Sequence, residues 1–534
     1  MVIMPRRTQT INGTDYVYDE IDTHWVPEKK QATHKRKYIG KMVDGLFVPN
    51  KNYLLQQALD AVQHKEPESR TTAVFQRNFY GATWLFDEIG RKLGIADDLK
   101  ACFPETWKQI LSIAYYLILE DRNPLSRFPR WATNHRHPFA AVISSQRSSE
   151  LFGWITEKAK RQFFVLQAKR RMETEYLAYD TTSISSYSNL IKQVRYGKNK
   201  DHVHLPQINL ALLYGETSRL PVYYRKLPGN INDVVTIRQL LADIDYMALE
   251  KVKLVMDRGF YSEDNINSLY HNHLKFLIGV KVSLKFVQEV LDEVRDTMRS
   301  RSSYSSSHKL NYQSCTIDWH YQEKKKRSGT VIKEERRMYL HLFYNDQKAV
   351  DDKAAFNTLL DSLETEIRTA RRVAEHEKLY DKYFTITRTP VRGISIEPKE
   401  EAIALAERNY GFFGLISNDI RDPLEALDVY RSKDVIEKAF GNLKERLNMR
   451  RTSVSSEQNL EGKLFVQFVA LMYLAYIDKR MNDTHLYKDY TMHEVLDELD
   501  VIECFEETGK RLRIGEMTKK QMELYQKLEV VVPA

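Results

Sequence analysis

The sequence predicts an α/β protein: a mixed sheet flanked by helices and interrupted by an insertion, preceded by a small N-terminal β unit and a helical region. Three observations carry this reading. From Tyr176 onward, apolar strand patterns alternate with helical ones, as a mixed sheet with helical cover requires. Two of those strand patterns run into aspartates, in Glu175-Tyr-Leu-Ala-Tyr-Asp180 and Lys251-Val-Lys-Leu-Val-Met-Asp257. The step of 180 residues from Asp257 to Glu437 is too long for a simple crossover, so an insertion lies inside the core.

Taken in order, residues 1–65 alternate apolar and polar around Tyr16-Val-Tyr18, Lys37-Tyr-Ile-Gly40 and Leu46-Phe-Val48. Asn12-Gly13 and Asp44-Gly45 supply hairpin turns, so this stretch is a small β unit. Lys29, Lys30 and the run His34 to Lys37 give it a basic edge, which suits either DNA ends or a protected sheet edge. Residues 66–172 turn helical. Their basic stretch, Lys158 to Arg161 and Lys169 to Arg171, is expected to face phosphates.

The core begins in residues 173–281, with strands at Leu177 to Ser186, Gln207 to Tyr214 and Leu220 to Arg225. A helix from Val234 to Ala248 then leads to the buried strand Val252 to Met256, and Gly259 lets the chain turn away after Asp257. A helix at Asp264 to His271 and a strand at Leu274 to Val280 follow. The insertion is placed at 282–408, with strands at Ser314 to Tyr321 and Arg337 to Tyr344 and a long charged helix from Lys348 to Tyr383. Its Ser302 to Ser307 cluster reads as a loop, and Glu323 to Arg327 as a hairpin tip. Residues 409–482 complete the core. Residues 483–534 form a helical tail ending in an apolar strand, Leu528 to Val532.

Composition bounds the function. A chain of 534 residues with 42% hydrophobic content buries several cores, and a net charge of +8 permits nucleic-acid binding without proving it. Cys102, Cys315 and Cys504 lie far apart, so neither a disulfide framework nor a zinc knuckle is indicated, and a reducing cytoplasm fits. Met1-Val-Ile-Met-Pro-Arg-Arg7 lacks the apolar core of a secretory signal. The longest apolar run, Leu464 to Ile477, includes Gln467 and falls short of a bilayer span, so it is expected to be a buried helix and no membrane role is expected. His135/His137 and His202/His204 lack further nearby ligands and are discounted as zinc sites.

The most informative stretch is Tyr430 to Lys444. Ile436, Phe440, Leu443 and Leu447 define a buried helical stripe, and beside it run Tyr430, Lys433, Glu437, Gly441 and Lys444. On one continuous helix this places a carboxylate between cations, with Gly441 leaving space for a ligand. The alternative is a solvated face with an ordinary i,i+4 pair.

Tyr430-x2-Lys433-x3-Glu437-x6-Lys444 resembles the Tyr-x2-Arg-x3-Glu-x6-Lys signature of bacterial insertion-sequence transposases with an Asp, Asp, Glu triad. Tyr196-Gly-Lys-Asn-Lys-Asp201, Leu205-Pro-Gln-Ile208 and Leu227-Pro-Gly-Asn-Ile-Asn-Asp233 are also similar to pieces of that family. Lys433 departs from it, keeping the charge of arginine but not its two-pronged contact. The resemblance implies a ribonuclease H-like core, a largely β insertion, and a catalytic triad of Asp180, Asp257 and Glu437. Such a triad is a hard-oxygen donor set for two Mg²⁺ or Mn²⁺ ions. It further implies that Tyr430 and Lys444, with Lys433, grip the phosphates of the element end.

Arg258, Arg450 and Arg451 are further candidates for DNA contact, against plain ion pairing. Trp319 is a candidate for stacking on a displaced base, against a place in the core. The implied activity is cut-and-paste transposition on double-stranded DNA, at terminal inverted repeats and target, by a homodimer in the synaptic complex at the bacterial nucleoid. A metal-dependent nuclease without strand transfer and an inactive DNA-binding derivative are the alternatives.

Overall fold

The structure is a computed structural model. It describes the chain apart from residues 1–6, 27–30, 64–74, 122, 171–174, 187, 189–190, 198, 201–203, 248, 250–251, 325–330, 390–392, 448, 450, 453, 455 and 508–509. Two compact units result: Met1–Phe75 with Glu507–Lys510, and Gln76–Glu506 with Arg511–Ala534.

In the first unit, strands Arg7–Ile11, Thr14–Val26, Gln31–Val43 and Leu46–Pro49 form an antiparallel sheet in sequence order, followed by helix Lys51–Gln63. The turns are chemically dictated. Asn12 and Gly13 adopt φ of +50° and +77°, and Asp44 and Gly45 +48° and +79°, the left-handed pairs that a tight hairpin needs. Lys35, Arg36 and Lys37 are exposed on the third strand, while Lys29 and Lys30 lie outside the described residues.

The second unit is built on a ten-stranded sheet. Strands β1 (Tyr176–Ser186), β2 (Gln207–Gly215) and β3 (Pro221–Pro228) make an antiparallel meander. Helix α1 (Asp233–Tyr246) crosses to β4 (Lys253–Met256), and α2 (Glu263–His271) to β5 (Lys275–Val280). Both strands run parallel to β1. The resulting order, β3-β2-β1-β4-β5, is that of a ribonuclease H-like core.

The inserted stretch continues this sheet. After helix α3 (Lys285–Met298), β6 (Leu310–Lys324) and β7 (Val331–Tyr344) form a long hairpin, and β8 (Phe412–Ser417) lies between β7 and β5, antiparallel to both. The apolar faces explain the join: Met338, Leu340 and Leu342 of β7 are buried in the same cluster as Phe276 and Ile278 of β5. The expected single helix from Lys348 to Tyr383 is two, α4 (Asp346–Arg368) and α5 (Glu377–Tyr383). Ala370 between them takes a φ of +56°, a left-handed conformation that stops a helix. With strands Phe384–Thr389 and Gly393–Pro398 they enclose a small core of Phe356, Leu363, Ile367 and Tyr380.

The chain closes with α6 (Pro423–Ser432), α7 (Asp434–Glu445), the short strand β9 (Arg451–Thr452) parallel to β1, and α8 (Glu457–Asp483). Helix α8 is longer than its apolar run suggested. It is long and apolar enough by length and composition to cross a bilayer, yet 89% of its apolar window is buried, against helices Trp107–Leu119 and Ser145–Trp154 and the sheet. The expected strand at Leu528 to Val532 is absent: the segment follows helix Lys519–Lys527 without strand pairing. Leu528 and Val530 are buried against helices, so the alternating apolar pattern reflects an extended tail lying on a core, not a sheet.

Candidate active site

Strand β1 runs through Asp180 to Ser186, the end its sequence pattern predicted. Its neighbour β4 stops at Met256, which pairs with Tyr179, so Asp180 and Asp257 emerge side by side where the parallel pairing ends. Ala178 belongs to the same core cluster as Ile436, Ala439, Phe440 and Leu443 of α7, and alternation along the strand puts Asp180 on that face.

The stretch from Tyr430 to Lys444 is not one helix. It breaks at Lys433, which ends α6 and opens α7. The hydroxyl of Ser432 donates to the Val429 carbonyl at 2.6 Å, drawing that oxygen from the helical ladder, a known cause of bending. Tyr430 therefore stands on the preceding helix. Its hydroxyl donates to Asp257 Oδ1 at 2.8 Å. Gly279 makes this reach possible: a Cβ there would stand 2.6 Å from the Tyr430 hydroxyl and 3.1 Å from the Arg258 nitrogen.

The two aspartates sit in different fields. Burial pushes the Asp180 carboxyl up, opposed by the Lys200 ammonium and the Thr181 N–H, and the nearby Asp233 charge adds to the rise. Burial also acts on Asp257, but the Tyr430 hydroxyl, the Arg258 N–H and the charges of Lys433 and Arg258 outweigh it, leaving its carboxyl below the usual range. Burial and the Asp257 charge push the Tyr430 phenol well above its ordinary value.

Glu437 is exposed on the first turn of α7, with Lys433 Nζ 3.6 Å from its Oε1. Lys433 thus links it to the Asp257 field. Among the described residues no three histidine, cysteine or acidic side chains converge closely enough to hold one metal ion. The donor chemistry nevertheless suits a hard cation, since Asp180 and Asp257 are carboxylates that follow the paired residues Tyr179 and Met256 on adjacent strands.

A cleft of about 960 Å³ opens from Asp257, Arg258 and Tyr430 and passes Lys281, Lys348 and Phe413. Arg258 is exposed at its mouth. Lys444 lies half-buried in the last turn of α7, and Gly441 faces open space, with nothing within 4 Å of an added Cβ. Arg450 lies outside the described residues, and for Arg451 the backbone pairing with Ser185 is what is described.

One expectation is corrected. Trp319 is buried, 9% exposed, and its indole N–H donates to Asn267 Oδ1 at 2.9 Å, so it is a core residue and not a platform for a base. In the basic helix Glu157–Lys169, Lys158 and Lys169 are exposed, while Lys160 is 3% exposed and 2.7 Å from Glu461, and Arg161 lies over the Tyr246 ring at 3.0 Å. Lysine stems bury readily when the ammonium is paired. His135 and His137 are taken up by Trp131, Asp500 and Ser112, while His202 lies outside the described residues.

Sequence reasoning missed the parts played by Lys200, Asp233 and Gly279. Thr181 Oγ1 donates to Asp233 Oδ1 at 2.6 Å, and Lys200 Nζ to Asp180 Oδ1 at 3.3 Å. Both residues fall in the short pieces Tyr196 to Asp201 and Leu227 to Asp233, which was the available signal.

The family model described as "Transposase DDE domain" matches residues 171–473, more than half of the chain. Among solved structures, the cryo-EM structure of the piggyBac transposase synaptic complex with hairpin DNA is similar over 78% of this chain and 70% of that one, at 12% identity and a TM-score of 0.34. No curated protein matches.

Proposed function

The chain belongs to the transposase DDE-domain family, and from that premise we propose that it binds the terminal inverted repeats of an insertion sequence, excises the element and joins it to target DNA. The observation that carries this reading is the adjacency of Asp180 and Asp257 where the pairing of their strands ends, with Asp257 lining a cleft beside Arg258 and Lys281. Carboxylates beside a cationic cleft suit a phosphodiester substrate.

In this proposal Asp180, Asp257 and Glu437 hold two divalent ions, Mg²⁺ or Mn²⁺. Such ions supply activation of an attacking oxygen and stabilisation of a leaving one. The protein's own residues do the positioning. Tyr430 fixes the rotamer of Asp257 and keeps it ionised, Lys433 steadies Glu437, and Arg258 and Lys281 bear on the strand's phosphates. Two ends must be paired, which a homodimer on DNA achieves by symmetry.

The test is product analysis of a labelled element end incubated with the protein and Mg²⁺, with a pre-cut 3′ end offered to plasmid in parallel. Cleavage and joining are expected, both abolished in Asp180→Asn, Asp257→Asn and Glu437→Gln. Cleavage without joining marks a nuclease. Cleavage that survives the aspartate substitutions defeats the assignment.

A further inference from the structure

The loop that carries Lys200 is fastened to the sheet at several points. Arg195 and Gln207 exchange two backbone hydrogen bonds of 2.9 Å each, and the Gly229 N–H donates to the Gln193 carbonyl at 3.1 Å. Gly197 and Gly229 pack so closely that a Cβ at 197 would stand 2.1 Å from the Gly229 carbonyl oxygen. Only glycine tolerates that approach. Nearer the site, the Lys200 N–H donates to Ser183 Oγ at 3.3 Å.

The side chain is thereby delivered to one place. Its ammonium donates to the Thr181 carbonyl at 2.6 Å and to Asp180 Oδ1 at 3.3 Å, and stands 4.0 Å from Asp233 Oδ2. Asp233 is itself held by the Thr181 hydroxyl at 2.6 Å. One cation thus lies between two carboxylates, with a backbone oxygen as pivot. Resting on the reading above, we propose that Lys200 is the built-in counter-ion of Asp180, displaced toward Asp233 when a divalent cation binds.

The electrostatics favour a displacement of this kind. A divalent cation sits about 2.1 Å from a carboxylate oxygen. An ammonium kept on that same oxygen would remain within roughly 5 Å of a double positive charge, enough even at high dielectric to weaken binding about tenfold. Asp233 offers the lysine a second partner without breaking its bond to Thr181. Lys200 is therefore a positioning residue: it keeps the half-buried Asp180 compensated and sets the affinity at which a cation takes over.

The test is Mn²⁺ binding alone, followed by electron paramagnetic resonance of the free ion, on the full chain at fixed pH without DNA. Asp180→Asn is expected to weaken binding, and Lys200→Met to tighten it about tenfold. Lys200→Arg, which keeps the charge, is expected to bind as wild type does, and melting curves establish that each variant folds. Lys200→Met binding no tighter than wild type, while Asp180→Asn still weakens binding, overturns the counter-ion role and leaves the cation site standing. Binding indifferent to Asp180→Asn overturns both.

Discussion

The Tyr430 hydroxyl reaches Asp257 Oδ1 at 2.8 Å by passing over the bare Cα of Gly279. The Asp257 carboxylate is thus oriented by a phenol from a helix far along the chain, and the contact survives only while position 279 carries no side chain.

Tyr430→Phe is expected to slow DNA cleavage by about 10- to 100-fold, the range for losing a hydrogen bond to a charged group. The sign for pH follows from the field: the hydroxyl lowers the Asp257 carboxyl, so its removal raises it. The acid limb of the pH–rate profile should move to higher pH. A profile that only falls in height would mean that Tyr430 acts on DNA and not on Asp257.

Gly279→Ala should reproduce that effect without touching either polar group. The added methyl would stand 2.6 Å from the hydroxyl and must push the phenol off Asp257. Overpacking of this kind costs about 1–3 kcal/mol, read as a lower melting temperature beside the loss of cleavage. Full activity in this variant would show that the Tyr430 contact is dispensable.

For Trp319→Phe, DNA affinity is expected to stay at the wild-type value while stability falls by about 1–3 kcal/mol, from the lost packing and the orphaned Asn267 amide oxygen. Denaturant melts and filter binding measure the two. Weaker DNA binding at unchanged stability would restore the stacking role.

A fourth expectation concerns the helical layer. Burial raises the Asp87 carboxyl to about 6, with the Tyr115 hydroxyl at 2.9 Å and the Arg91 and Arg136 charges opposing it. Because the folded value lies above the unfolded one, the protonated form favours folding below about pH 4, and this is lost as pH rises through 6. Asp87→Asn should therefore stabilise the protein at pH 8 by on the order of 3 kcal/mol, and by almost nothing at pH 4. Equal melting shifts at both values would remove burial as the cause.

How much of this was written in the sequence depends on what decides each feature. The strands from Tyr176 to Val280 were readable because apolar runs bounded by Gly and Pro are local signals, and the Asn12-Gly13 turn because two residues determine it. The break at Lys433 was not, since it interrupts an otherwise good helical pattern that periodicity alone reads as continuous. Trp319 and Lys160 depend on distant partners, Asn267 and Glu461, which periodicity does not report. Gly279 looked like any strand glycine until the Tyr430 ring was placed beside it.

Strand β8 lies between β5 and β7, yet the chain must complete everything from residue 281 to residue 411 before making it. Closing so long a segment is entropically slow, and the helices bearing Tyr430 and Glu437 come later still. A half-synthesised polypeptide therefore carries Asp180 and Asp257 before the helices that bring Tyr430 and Glu437 to them exist.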